Sequence, residues 1–218
     1  DFGNWLHALL SHFHVALRAA PTPDLPGRQR LIDAAAARAT RELGLADSEF
    51  LPFAAAWPKV REGYLAWLTE HEAGGSSFSE AEQWKEMPLG ELTLIGKVDR
   101  IDRLPDGRAL VMDYKSESRE VTAERMKKPQ EDTQLPFYAA LLSDDELCAS
   151  YVNLGEKETT KTYPQPDIVN LRDQLIDSIQ ADMHRIAEGA PMPAMGEGKA
   201  CEYCEARGLC RRDFRVAA

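Results

Sequence analysis

The stretch Gly90 to Lys115, GELTLIGKVDRIDRLPDGRALVMDYK, constrains this chain more than any other, because it reads as a hairpin that ends in charge. Leu92, Leu94, Lys97 and Asp99 fall among β-favouring neighbours, and Val98 and Ile101 continue an apolar pattern. Pro105, Asp106 and Gly107 supply the turn. The return run, Ala109-Leu110-Val111-Met112, is short, continuous and apolar, as a fully buried strand should be. It stops abruptly in Asp113-Tyr114-Lys115.

Asp113 and Lys115 are two apart, so on a strand they project to one face. An antiparallel partner can bring Asp99 beside them. Two carboxylates and an ammonium that converge in this way can hold a hard divalent cation and assist a water nucleophile. A surface hairpin whose charges merely face water is the plainer alternative for Asp-x-Lys alone. The apolar run leading into the charges, and the matching Asp99, weigh against it.

With GKVDRID, MDYK and QLPFYAALL in this order, the chain from His7 to Cys210 resembles the nuclease domain of the RecB-like branch of the PD-(D/E)XK superfamily, the domain of RecB, AddA, AddB and related exonucleases. The resemblance implies an α/β fold with a restriction-endonuclease-like core: a mixed central sheet of four to five strands flanked by helices, with an N-terminal helical part. It makes Asp99 and Asp113 metal ligands and Lys115 the catalytic lysine. Gln134 and Tyr138 become a Q-x-x-x-Y element on the following helix. His7, four residues after Gly3, matches the histidine of a G-x-x-x-H helix that faces the metal. The Met112 backbone carbonyl would help hold the ion, and Glu82, in AEQW of the first core strand, would assist directly or through water.

The implied activity is a Mg²⁺- or Mn²⁺-dependent deoxyribonuclease of exonuclease type, acting at DNA ends in recombinational repair. Its substrate would be single-stranded DNA or an end-frayed duplex, delivered by a helicase motor in the same or a partner chain. The alternatives are a catalytically silent platform that binds DNA ends or a partner, and a structural metal-binding domain in which only the cysteine tail matters. The complete Asp99, Asp113 and Lys115 set speaks against the silent platform.

A net charge of -10 over 218 residues argues against nonspecific coating of nucleic acid by the whole domain. DNA contact must then be local. The candidate basic patches are Arg125, Lys127 and Lys128, and, near the C-terminus, Arg207, Arg211, Arg212 and Arg215; a solvated face is the competing reading of each. The length suits one sizeable α/β domain, 1–218, divided into a helical region over 1–75, a catalytic core over 76–190 and a cysteine-containing tail over 191–218. Asp1 opens inside an apparent helix, which suggests a fragment of a longer helicase-nuclease-type protein. No apolar run reaches membrane-spanning length, so the default expectation is a cytoplasmic protein without a membrane partner.

Residues 1–20 read as an amphipathic helix with Leu6, Leu9, Leu10, Phe13 and Leu17 on one face. His7 and His14 lie near the edge of that face. A histidine filling the border of the core is the ordinary reading, and only His7 has support from the later motifs. Pro21 to Gly27 reads as a loop. Helices are expected over Gln29 to Leu43 and Pro58 to His71, with Tyr64, Leu65, Trp67 and Leu68 as packing residues. Gly74 to Ser77 is a turn before a strand, Phe78 to Met87. Glu117 to Lys128 is a loop or short helix, and Glu131 to Leu142 a helix on which Gln134 and Tyr138 share one face at i, i+4. Leu147 to Leu154 is the next strand, with Lys157 to Tyr163 able to pair with it. Asp167 to Glu188 is a long amphipathic helix whose stripe is Leu171, Leu175, Ile179, Met183 and Ile186.

Cys201, Cys204 and Cys210 form C-x2-C-x5-C, a spacing typical of a metal centre. In AddB-type nucleases such a triplet, with a fourth cysteine upstream, holds a [4Fe-4S] cluster, and the resemblance implies the same here. No cysteine precedes the first helix, and Cys148 lies in an expected core strand as a small hydrophobe, so the fourth ligand is absent from this sequence. Zinc is the competing metal.

Overall fold

The expected first helix forms over Phe2–Ala19 (α1). It buries Trp5, Leu6, Leu9, Leu10 and Phe13 at the three- and four-residue steps that define one helical face. The computed structural model describes residues 2–155, 159–191 and 204. By packing, the chain divides into two compact units, Asp1–Asp177 and Ser178–Ala218.

In the first unit, α2 (Leu25–Glu42) begins earlier than its apolar pattern suggests. Asp24 is the N-cap and accepts a hydrogen bond from Gly27 N at 2.7 Å. Pro26 is tolerated in the first turn, where its missing N–H has no helical partner to lose. Helix α3 (Asp47–Ala73) likewise starts well before Pro58 and carries both Pro52 and Pro58 inside it. Helices α1 to α3 share one core, in which Trp5, Phe13, Ile32, Tyr64 and Leu68 meet Leu110, Met112, Tyr114 and Val152 of the sheet. Each large apolar side chain taken out of water there contributes about 1.5–3 kcal/mol.

The sheet has five strands in the order β1-β2-β3-β4-β5: Ser77–Leu89, Leu92–Arg103, Ala109–Lys115, Leu147–Asn153 and Lys161–Pro164. Strands β3 and β4 run parallel, and the other neighbours are antiparallel, so the sheet is mixed as expected. The β2–β3 turn falls at Pro105 to Gly107, where Gly107 takes φ +88° and donates its N–H to Leu104 O at 2.9 Å. A parallel pair needs a crossover, and here it carries α4 (Arg119–Lys127) and α5 (Gln134–Ala140). α5 is shorter than the expected Glu131 to Leu142. The expected fifth strand starts at Lys161; residues 156–158 lie outside the described residues.

Helix α6 (Ile168–Ala187) crosses the boundary between the units. Within the first unit its stripe is weaker than the sequence pattern: Ile168 is buried, while Leu171 and Leu175 are only half-buried. In the second unit the helix stops at Gly189, which has φ +88° and bonds back to Ile186 O at 2.9 Å. Among the described residues no helix is long and apolar enough to cross a membrane.

Candidate active site

The site lies where β2 and β3 part. Their pairing runs from Arg103↔Ala109 to Arg100↔Met112 and ends there. β2 continues along β1 as far as Leu92↔Leu89, and β3 continues along β4 as far as Lys115↔Asn153. A fork opens between them, with Asp99 on one prong and Asp113 on the other. Tyr114 N spans it, donating to Asp99 Oδ2 at 2.9 Å.

In a strand the N–H and C=O of one residue point the same way and alternate along the chain. Tyr114 therefore turns its carbonyl toward the fork as well, while Lys115 O is turned to β4 and accepts from Leu154 N at 2.7 Å. By the same alternation the Met112 carbonyl lies inside the ladder opposite Arg100. The carbonyl that faces the fork is thus that of Tyr114 rather than Met112, a point set by pairing register and invisible in the sequence alone.

Helix α1 brings His7 to the fork, with its Nδ1 3.3 Å from Asp99 Oδ2 and 3.5 Å from Glu82 Oε1. One ligand atom from each of these three residues lies within 4.8 Å of the others. Glu82 reaches this place through a kink: its φ is +52°, and the β1–β2 register passes from Ala81↔Arg100 to Gln83↔Val98 without pairing it. A non-glycine residue in this left-handed region is strained. Lys97 Nζ rests on the other oxygen of Glu82.

From the opposite side of β3, α5 presents Gln134, whose Nε2 donates to Asp113 Oδ1 at 2.5 Å and whose Oε1 accepts from Lys115 Nζ at 2.6 Å. A glutamine amide can serve both partners because it carries a donor and an acceptor. The same Nε2 is 3.3 Å from Tyr138 OH, so the i, i+4 pair does share one face. Lys115 Nζ stands 2.8 Å from Asp113 Oδ2 and lies 5.0 Å from the centre of the Tyr151 ring. Asp113 Oδ2 is buried, no well-angled hydrogen bond reaches it, and the Lys115 ammonium is its ion-pair partner.

The electrostatics show an excess of negative charge. Burial, reinforced by the Asp99 carboxylate, pushes the Asp113 carboxyl up to about 7, and Lys115 offsets this only partly. Burial alone would lower His7, but its hydrogen bonds to Asp99 and Glu82 override that and raise it to about 10. Burial would raise Glu82, yet His7 and Lys97 hold it below the usual carboxylate range. The imidazolium thus supplies a positive charge that a cation could replace. One imidazole with hard carboxylate oxygens, one of them buried and without a hydrogen-bond partner, fits a divalent ion such as Mg²⁺ or Mn²⁺.

A second cluster, which the sequence reading does not anticipate, lies behind the fork. Arg100, 1 % exposed, makes a two-pronged pair with Asp102, with both bonds 2.7 Å. Its Nη1 donates to His14 Nε2 at 2.7 Å, to Tyr64 OH at 2.9 Å and to Tyr114 OH at 3.3 Å. His71 adds a bond to Asp102 Oδ2 at 2.8 Å. Burial and the neighbouring Arg100 hold His14 well below the usual histidine range. It is a neutral acceptor in the core and does not join the site. His12 is also elsewhere, against Glu42.

The expected basic patch is neutralised within itself. Arg125 is held by Glu117 and Asp132, Lys127 by Glu124 and Lys128 by Glu131. Of the tail, Arg207, Arg211, Arg212, Arg215, Cys201 and Cys210 lie outside the described residues. Cys204 is an exposed free thiol, and Cys148 sits half-buried in β4.

No curated protein matches this sequence. Among solved structures, one described as "Crystal structure of SSO0001" aligns over 94% of this chain and 84% of that chain, at 15% identity and a TM-score of 0.35. The sequence profile of the PD-(D/E)XK nuclease superfamily matches residues 1–211, a span that takes in α1, the whole sheet and both prongs of the fork. On that match the chain belongs to the PD-(D/E)XK nuclease superfamily.

Proposed function

We propose that this chain is a metal-dependent deoxyribonuclease that hydrolyses phosphodiester bonds at DNA ends, an exonuclease of recombinational repair. The observation that carries the reading is the meeting of His7, Glu82 and Asp99 within 4.8 Å of one another, across the fork from a buried Asp113 backed by Lys115. His7, Asp99 and Asp113, with Glu82 beside them and the Tyr114 carbonyl turned toward them, would hold the ion. Bound there, Mg²⁺ or Mn²⁺ would supply a water of lowered pKa and stabilise charge on the phosphoryl oxygens.

The chain's own groups do the positioning. Gln134 locks Asp113 and Lys115 in one orientation by binding both. Lys115 presents its ammonium to the water or to the charge developing on the scissile phosphate. Tyr138, on the same helix face, orients the strand at the mouth. The RecB-like order of motifs supports the DNA-end context and a helicase motor as partner. The expected iron–sulfur or zinc centre on Cys201, Cys204 and Cys210 carries no share of this reading.

The test is cleavage of end-labelled linear DNA, single- and double-stranded, with Mg²⁺, Mn²⁺ or EDTA, by the wild type and by Lys115→Ala. Metal-dependent product that the variant loses supports the reading, and the product ladder gives polarity. A folded wild type that binds Mn²⁺ yet leaves every substrate intact rejects turnover and leaves the DNA-binding platform.

A further inference from the structure

Strands β1 and β2 form an arm that outruns β3, since β2 has no β3 partner beyond Arg100. Along this arm Leu94, Gly96 and Val98 face α5: Leu94 and Val98 are buried, and a side chain on Gly96 would run into Leu141 and Phe137. Strand alternation puts Ile95 and Lys97 on the other side, together with their cross-strand partners Glu86 and Trp84. Trp84 is 69% exposed and Ile95 52%, whereas Trp5, Trp57 and Trp67 are all buried. Lys97 marks where this side leads. Its ammonium lies on Glu82, the carboxylate that reaches His7. An open indole and an ammonium therefore stand directly beside the candidate metal donors, about 7 Å, or one two-residue step, along the strand.

We infer that this side of the arm is a subsite for single-stranded DNA, in which one base stacks on Trp84 and a backbone phosphate pairs with Lys97 as the strand enters the fork. An indole left in water forfeits most of its burial, so its place beside the site calls for an occupant. An aromatic face next to a cation is the pairing that grips a single strand without reading its sequence. In a duplex the faces that Trp84 would contact are covered by the stacked neighbouring pairs, so the subsite selects unstacked, single-stranded nucleotides. Glu86 on the same side opposes phosphate and Glu82 already shares the Lys97 ammonium, which leaves stacking as the larger contribution. The location of the subsite rests on the nuclease reading, but its occupancy is measured by binding alone.

The experiment follows tryptophan fluorescence of the full chain in EDTA, where metal-dependent cleavage is off, during titration with an oligothymidylate. Binding should quench the exposed indole and shield it from iodide. Trp84→Ala should weaken binding about 5- to 150-fold, and Trp84→Phe should recover most of it. Lys97→Gln should reduce the slope of log K against log salt by about 0.7, the value for one phosphate on a single strand. Iodide shielding of Trp84 in the free protein, or oligonucleotide binding that Trp84→Ala leaves unaltered, overturns the subsite. Metal-dependent cleavage without Trp84 quenching sinks the subsite and keeps the nuclease. Quenching without cleavage does the reverse.

Discussion

Tyr114 donates its backbone N–H to Asp99 Oδ2 at 2.9 Å, at the point where β2 and β3 separate. The bond replaces the ladder contact that Tyr114 N would have made to Val98 had the strands stayed paired, so one carboxylate both closes the sheet and faces the candidate metal. Asp99→Asn keeps an acceptor and loses the charge, whereas Asp99→Ala loses both. Both variants should lose metal-dependent cleavage by about 10²- to 10³-fold or more. Only the alanine variant should also lose about 1–3 kcal/mol of stability, because it strands a buried N–H. Single-turnover cleavage and urea melts of the two variants, side by side, measure the separation.

The pH dependence of the metal-free fold follows from two groups that act in the same direction. Asp113 is raised to about 7 in the fold, so its contribution is present below the ordinary carboxylate value and is lost as pH rises through about 7. His7 is raised to about 10, so its contribution is full below the ordinary histidine value and is lost as pH rises through about 10. In EDTA the Tm should therefore fall steadily between pH 5 and pH 9. Asp113→Asn should raise it at pH 8 and have little effect at pH 4, with each kcal/mol read as about 2–4 °C. Saturating Mn²⁺ should flatten the wild-type profile. A metal-free Tm that rises over this range would contradict both assignments.

The sheet and the site differ in how far they could be read from sequence. The hairpin, its turn at Pro105 to Gly107 and the Asp113–Lys115 ending were visible because strand alternation and turn residues are local. So was the sharing of one face by Gln134 and Tyr138. What lay hidden depends on contacts between elements. Nothing local shows that β2 and β3 part after Arg100, and this divergence turns the Tyr114 carbonyl, not that of Met112, to the fork. Helices α2 and α3 began early because Asp24 capped one and two prolines were absorbed into the other. The Arg100 cluster does leave a trace in the sequence. Arg100 and Asp102 are two apart in a strand otherwise becoming buried, a spacing that places opposite charges on one face.

Arg100 lies between the rings of Trp67 and Phe78, at 5.6 and 5.7 Å from their centres, and reaches Tyr114, the residue between Asp113 and Lys115. Asp102→Ala should cost about 3–5 kcal/mol, because it leaves a buried guanidinium without its carboxylate. Arg100→Met with Asp102→Leu should cost clearly less than the sum of the two single changes, since neither charge is then stranded. A double-mutant cycle in urea gives the coupling. Additive effects would mean that the pair is not the partner that holds Arg100.

At Gly96 the arm lies close against α5 and the residue that follows it. A Cβ there would lie 2.7 Å from Leu141 Cδ1 and 2.9 Å from Phe137 Cε1. Both are side-chain atoms, so the helix can move aside, but α5 also carries Gln134, which holds Asp113 and Lys115 together. Gly96→Ala should therefore cost about 1–3 kcal/mol from overpacking. It should also lower cleavage at saturating metal, even at a temperature where the variant is fully folded. Phe137→Leu in the same chain removes some of the obstruction and should restore much of both losses. A Gly96→Ala protein that is destabilised yet cleaves at the wild-type rate would show that the position of α5 is not transmitted to Gln134.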